Sequence, residues 1–314
     1  MEFNTDGNHV LVIGSAGIDV KGRPDYTLTK GASTPGRIQS SVGGVARNIA
    51  ENLAKLEIPV LLLSAVGDDA PGERVLARCQ EAGIETEFVK VVAGKRTGHY
   101  MAILTIQGEL DTSVNDYAIA HEIGPDYLME HEEHFANAML VIIDANLNET
   151  ALATLFKLTA KYAIPVCADP TTPSLAGRLR PFLPQIYMIT PNVNEASILG
   201  GQTLTKPDPE AALDVAQFLL ERGVRLAVVT LGVHGLAYAS GSNRGLIQAI
   251  RTEVRDETGA GDALTAGIIF GLLNGVPLDE ALRLGVSAAS LTLRSRETVV
   301  KALSQELLYD QLII

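Results

Sequence analysis

The chain has 314 residues, 46% hydrophobic and 20% charged, which is ordinary globular composition and enough for one main domain with a smaller attached element. A formal charge of −12 argues against a nucleic-acid or anionic-membrane partner, because either would need a basic surface. Cys79 and Cys167 have neither metal-type spacing nor a disulfide framework, Met1–His9 forms no leader, and no apolar run reaches membrane-spanning length, so a reduced cytoplasmic setting is expected.

His9–Gly14 is a short apolar run ending in glycine, the pattern of a buried first strand. From Gly44 to Leu56 the period changes. Val45, Ile49, Leu53 and Leu56 form a helical stripe, and Arg47, Glu51, Asn52 and Lys55 stand opposite, where solvent is expected. Val60–Val66 predicts a second strand and Pro71–Ala82 a second helix. Strands are then predicted at Leu140–Ile143, Pro165–Ala168, Ile186–Ile189 and Leu226–Thr230, separated by helices at Thr150–Tyr162, Asn192–Leu199 and Pro209–Arg222. This alternation predicts an α/β fold, a doubly wound and mostly parallel sheet with helices on both faces.

Two stretches break the rhythm. Residues 18–41 are rich in Gly, Pro, Thr and Arg, and residues 97–119 alternate like exposed strands around a Gln107-Gly108-Glu109 turn. Ligands of open α/β sheets bind at the carboxyl ends of the strands, so strands inserted there would cover a site. The expected organisation is therefore a core of residues 1–17, 42–96 and 120–314 with a small β lid from 18–41 and 97–119.

The most informative stretch lies late in the chain. Asp256-Glu257-Thr258-Gly259-Ala260-Gly261-Asp262 runs directly into the apolar Ala263–Leu273. Free N–H groups at a helix start bind anions, and glycines let a phosphate approach closely. A helix apolar on nearly every face is normally buried, so Asp262 at its mouth points to phosphate chemistry with a built-in base. A second cluster, Ser41-Val42-Gly43-Gly44-Val45-Ala46-Arg47-Asn48, puts Gly44 and Asn48 on one helix face. There a polar ligand could lie against backbone while Asn48 both donates and accepts. Asp19, just past the first strand, could accept from two sugar hydroxyls. Taken alone, Asn192-Val193-Asn194-Glu195 equally fits a helix cap, and Asp69 with Gly72 fits the cap and first turn of the helix that follows. A dinucleotide site is disfavoured because Gly259-Ala260-Gly261 lacks a third glycine, and Gly94-Lys95-Arg96 is no P-loop.

The five motifs together resemble the PfkB carbohydrate kinases, the ribokinase-like family. They are Gly43-Gly44 with Asn48, Val66-Gly67-Asp68-Asp69-Ala70-Pro71-Gly72, Asn192-Val193-Asn194-Glu195, Thr230-Leu231-Gly232-Val233-His234-Gly235 and Thr258-Gly259-Ala260-Gly261-Asp262. The resemblance implies an ATP-dependent kinase in which Asp262 takes the proton from a primary hydroxyl. The N–H groups of Gly259, Ala260 and Gly261 would form the anion hole. Asn192, Thr230, Gly232 and Gly235 would bind ATP, and Asp19, Gly43, Gly44 and Asn48 the acceptor. Glu195 would hold Mg²⁺ through water. Asp256, with backbone carbonyls around Ser290–Ser295, would hold a monovalent cation such as K⁺, although Glu257 stands where the family has a small or β-branched residue. The acceptor would be a sugar or a nucleoside. The stretch Gly43–Ala54 is more similar to kinases of pseudouridine than to ribokinases, which carry lysine where this chain has Val45. Asp144 and Asn146 in Ile143-Asp144-Ala145-Asn146-Leu147 match that subgroup, and Tyr100, Thr112 and Asn115 of the lid could meet a uracil ring. A ribokinase- or fructokinase-type sugar kinase and a catalytically silent sugar-binding regulator are the alternatives. A homodimer through the lid strands is expected.

Overall fold

A computed structural model describes residues 7–201 and 208–312; the polar segment 1–6, expected to begin the core, lies outside them. The strands, in chain order, are β1 (His9–Ile13), β2 (Gly17–Pro24), β3 (Gly36–Gly43), β4 (Val60–Gly67), β5 (Val89–Val92), β6 (Gly98–Leu104), β7 (Leu110–Asp116), β8 (Ala138–Asp144), β9 (Val166–Asp169), β10 (Met188–Ile189), β11 (Leu226–Thr230), β12 (Leu236–Ser240) and β13 (Asn243–Ile247). They form two sheets, one ordered β13-β12-β11-β10-β9-β8-β1-β4-β5 and the other β3-β2-β6-β7.

In the larger sheet every neighbouring pair from β5 to β11 is parallel. The reason is legible in the runs themselves. Val10–Ile13 and Leu140–Ile143 are wholly buried, as strands covered on both faces must be. The β12–β13 hairpin turns back antiparallel at one edge, and neither it nor β5 announced itself in the alternating pattern. The helices Val45–Lys55, Ala70–Glu81, Glu149–Lys161, Val193–Gly200 and Pro209–Glu221 lie within a residue or two of their predicted bounds. Side-chain caps explain several starts: Asp69 accepts from Gly72 N–H, and Asn148 from Ala151 N–H.

One expectation fails. The polar side of the Val45–Lys55 helix does not face solvent: Arg47, Glu51 and Asn52 are all buried. Arg78 of the Ala70–Glu81 helix and Thr298 meet that side, and the charges are paired instead. Arg47 bonds Glu51, which also receives Arg78 at 2.6 Å, and its remaining donors reach Gly43 O at 3.1 Å, Val42 O at 2.8 Å and Thr298 Oγ1 at 3.1 Å.

The smaller sheet joins residues from both interrupting segments. β2 pairs antiparallel with β3 and parallel with β6, which pairs antiparallel with β7. Laterally paired residues share a face. Asp19, Lys21, Tyr100 and Asn115 therefore share one side, while Val20, Met101 and Val114 share the other with Ile38, Ile103 and Thr112. Thr112 is thus on the face opposite Tyr100 and Asn115, contrary to its expected place beside them.

The Ala260–Leu273 helix is buried from Asp262 to Gly271, and it lies directly on the Leu278–Leu293 helix. Contact is close because the crossing is lined with glycine. A Cβ at Gly267 would stand 2.8 Å from Leu284 O and 2.9 Å from Gly285 Cα. This crossing fixes where the helix's N-terminus points. Gly267→Leu should lower the unfolding free energy by about 1–3 kcal/mol or more, as overpacking does. Denaturant melts would measure it, and an unchanged midpoint would show that the helices can separate freely.

Candidate active site

The candidate residues gather at the carboxyl edge of the large sheet. Asp144 and Asp169 end adjacent strands in register, Ser15 follows β1, and Asn192 bridges to Thr230 at the end of β11. The Ala260–Leu273 helix enters this edge N-terminus first, tied to the end of β10 by a Thr265–Thr190 hydroxyl bond of 2.9 Å. Gly259 caps it in the left-handed region with φ 83°, and a side chain there would run into Thr298 O. Nothing lies within 4 Å of a Cβ built at Gly261, so its face is open. The Ala260 N–H turns back to Glu257 O at 3.3 Å, leaving those of Gly261 and Asp262 as first-turn donors. Of the three amides expected to form an anion hole, that of Ala260 is thus engaged within the turn.

Asp262 is 8% exposed and accepts from Asn48 Nδ2 at 2.6 Å. Burial pushes its carboxyl up to about 7, opposed by the Asn48 bond and the Arg47 charge and assisted by Asp19 and Asp144. Such a group changes ionisation near neutrality, as a general base must. Asn48 has only half its capacity used, since its buried Oδ1 finds no partner among the described residues. Asp19, also buried, is raised to about 6 by loss of water, against the pull of Lys21 and Arg47 and a bond from Tyr117.

On the other side of Gly261 lies a cavity of about 770 Å³, a size suited to a small-molecule ligand. Asn192, Thr230, Gly232, Gly235, Ala260 and Gly261 all line it. The expected nucleotide residues and the anion-hole turn thus share one space. Leu264, Val286, Ala289 and Val254 supply its apolar wall.

Other expected residues have different work. Gly43 and Gly44 are held to glycine by packing inside the chain. A side chain at Gly43 would overlap the Asp19 carboxylate, and one at Gly44 would stand 2.6 Å from Ala16 Cα. Asp144 is wholly buried and consumed inside the fold. Its Oδ2 takes Ser15 N–H at 2.8 Å, Ser15 Oγ at 2.6 Å and Ala46 N–H at 3.1 Å, and its Oδ1 takes Asn146 N–H at 2.9 Å. It positions its neighbours instead of offering oxygens to a substrate. Asn146 keeps a buried Nδ2 without a partner among the described residues. Asn192 and Glu195 form a full capping box, with Glu195 Oε2 on Asn192 N–H and Oε1 on Asn192 Nδ2, both at 2.8 Å. Asp256 holds the Lys21 ammonium at 2.6 Å where a monovalent cation was expected.

Sequence reading missed Tyr117, Asp169 and Thr298. Tyr117 bonds Asp19, and burial lifts its hydroxyl well above the usual range. Its ring sits where side chains on Gly17 and Gly98 would be, so those two glycines were its only trace. Asp169 is driven well up by burial and by the nearby Glu195 and Asp262 charges.

Residues 8–304 match the family model described as pfkB family carbohydrate kinase. The chain belongs to that family. Pseudouridine kinase of Escherichia coli strain K12 is 35% identical over 292 residues, covering 93% of this chain and 92% of that one. Guanosine-inosine kinase of Exiguobacterium acetylicum is 29% identical, over 92% of this chain and 96% of its own. The structure of Arabidopsis thaliana ribokinase complexed with ribose and ATP superposes with a TM-score of 0.83, covering 98% of this kinase and 99% of that chain at 24% identity. The fold is ribokinase-like, and the kinase is a phosphotransferase with an alcohol group as acceptor.

Two consequences of the buried Asp262 can be measured. A base must be unprotonated, so kcat/KM should fall as pH drops below about 7, and Asn48→Leu should move that inflection upward by removing a bond to the carboxylate. Asp262→Asn should lower turnover about 100- to 10,000-fold. Because the folded state favours the protonated acid, wild-type stability is lost as pH rises toward the raised value. Asp262→Asn should therefore melt above wild type at pH 8 and alongside it at pH 4. A flat rate profile between pH 5 and 8 would remove Asp262 from the base role.

Proposed function

We propose that this kinase transfers the γ-phosphoryl group of ATP to the 5′-hydroxyl of a nucleoside, with pseudouridine as the preferred acceptor. The observation that carries the reading is the Asn48–Asp262 pair. Asn48 donates to the base at 2.6 Å and keeps an empty acceptor, so one acceptor hydroxyl can be oriented and deprotonated by neighbouring groups. Asn146 Nδ2 adds an unfilled donor, and Asp19 an acceptor. Tyr100 and Asn115 share the Asp19 face of the small sheet, which supports a role in meeting a base ring. The similarity to the Escherichia coli pseudouridine kinase along nearly the whole chain supports that acceptor class over a free sugar. The small sheet, segments 18–41 and 97–119, acts as the lid.

In this reading the acceptor lies between Asp262 and β2 of the small sheet, and ATP fills the cavity lined by Thr230 and Gly232. Asp262 takes the hydroxyl proton as the oxygen attacks phosphorus. First-turn amides of the Gly261 helix receive the charge on the transferred group. Mg²⁺ fits the residues present: burial raises Glu195 to about 7, Asp169 is raised partly by Glu195, and a divalent cation would relieve that crowding. Each Glu195 oxygen already holds one Asn192 donor, so contact through water is the natural mode. Glu195 would hold the ion and Asp169 would stand beside it, the ion neutralising phosphate charge. The exposed apolar face of the small sheet, with Ile38 at 79% and Val114 at 71% exposure, suits pairing with a second copy. Buried, unpaired Cys79 and Cys167 suit the cytoplasm.

The test is kcat/KM for pseudouridine, uridine, guanosine, ribose and fructose at one Mg²⁺–ATP concentration. Pseudouridine should lead, with uridine well behind, because a site that bonds the extra ring N–H leaves its own group unpaired with uridine. Ribose or fructose leading would refute the nucleoside reading and leave the kinase standing. Glu195→Gln should raise the Mg²⁺ concentration for half-maximal rate; an unchanged requirement would confine Glu195 to its cap.

A further inference from the structure

A monovalent cation beside the anion hole, implied by the family resemblance with Asp256 as its ligand, does not fit the residues present. Lys21 Nζ lies 2.7 Å from Asp256 Oδ1 and 2.6 Å from Oδ2, so one ammonium engages both carboxylate oxygens. Oδ1 also accepts the Thr258 N–H at 2.9 Å. The pair is largely out of water, with side-chain exposures of 11% for Lys21 and 19% for Asp256. A second cation at that carboxylate would meet the ammonium's charge at short range.

We infer that the ε-ammonium of Lys21 is itself the cation of this site, a chain-borne charge that positions Asp256 and makes the enzyme independent of a monovalent metal ion. The inference rests on the kinase reading of the Gly259–Asp262 turn. Asp256 holds that turn through Thr258 N–H, three residues before Gly261, which lines the nucleotide cavity. Left uncompensated, its negative charge would oppose the phosphoryl group these amides receive; paired with Lys21, it is neutralised. The source of the ammonium matters as much as its charge. Lys21 lies on β2 two residues from Asp19 and on the same face. One strand of the small sheet therefore carries both the acceptor-gripping carboxylate and the ammonium that steadies the anion hole. Lys21 is also the strongest of the charges holding Asp19 down against its burial. Lys21 is accordingly a positioning residue, acting on the reaction through Asp256 and the turn.

The experiment compares wild type, Lys21→Met and Lys21→Arg in potassium, sodium and tetramethylammonium chlorides at equal ionic strength. Melting temperature and ADP affinity are read alongside turnover. A cation bound at the native site raises the melting temperature by mass action, so these first two readings need no acceptor substrate. Wild type should show no K⁺-specific shift in melting, ADP affinity or kcat. Lys21→Met should lose roughly tenfold or more in kcat, because the turn loses part of its electrostatic support. K⁺, but not tetramethylammonium, should restore part of both stability and rate by entering the vacated space. Lys21→Arg should retain the charge and stay insensitive to K⁺. A K⁺-specific stabilisation or activation of wild type would overturn the inference, and that comparison stands even if Lys21→Met does not fold. So would a Lys21→Met enzyme with unaltered kcat and no cation response. Absence of ADP binding and of turnover in wild type would instead sink the kinase reading, with the melts still deciding cation binding.

Discussion

A carboxylate held from water at the mouth of an apolar helix is the constraint on which the rest of this molecule depends. Asp262 can be buried because the Asn48 amide bonds it and the Arg47 guanidinium stands near, yet neither restores its ordinary acidity. An acid poised near neutral pH beside unused helix amides is a combination that costs stability and suits proton abstraction from an alcohol. The neighbouring elements keep that acid in place. The glycine-lined crossing with Leu278–Leu293 seats the helix, Thr265 ties it to the sheet edge, and Gly259 lets the turn pack under Thr298.

Arg47 links the two halves of the site. Its donors reach Val42 O and Gly43 O in the acceptor loop and Thr298 Oγ1 beneath the anion-hole turn, and Thr298 Oγ1 itself donates to Val42 O at 2.8 Å. A buried guanidinium with every side answered is rigid, and removing a partner would leave charge stranded. The Val42-Gly43 segment and the Thr298 segment beneath the Gly259 turn are therefore held at one spacing by one side chain. Asp144 does similar work from the sheet, gathering Ser15, Ala46 and Asn146 around a single carboxylate.

The two sheets divide the chemistry. The large sheet supplies a rigid edge, because parallel strands buried on both faces have no freedom to shift register. The small sheet supplies Asp19 and Lys21 from β2, whose first half is buried against the core, and the Tyr100–Asn115 face from β6 and β7. Its other face is apolar and open, which gives the same element a surface for self-association.

Much of this was readable before any coordinates. Apolar runs with glycine ends and a helical period between them determine a parallel α/β sheet, since only that layering buries such strands on both sides. Glycines before Asp262 determine an open helix start, the local backbone geometry that suits an anion. Local pattern could not say which charged residues would be covered by distant segments. Arg47, Glu51 and Asn52 read as a solvated face, yet all three are interior, with Arg78 of the Ala70–Glu81 helix on Glu51 and Thr298, 251 positions away, on Arg47. Tyr117 over Gly17 and Gly98, Lys21 on Asp256, and Asp144 turned inward are likewise contacts across long separations. The sequence by itself determined most of the alternating strands and helices and the glycine turn before Asp262, because those follow from neighbours along the chain. The tertiary structure alone decided which side chains keep unused polar groups and which are consumed as supports, because that depends on what each one meets across the fold.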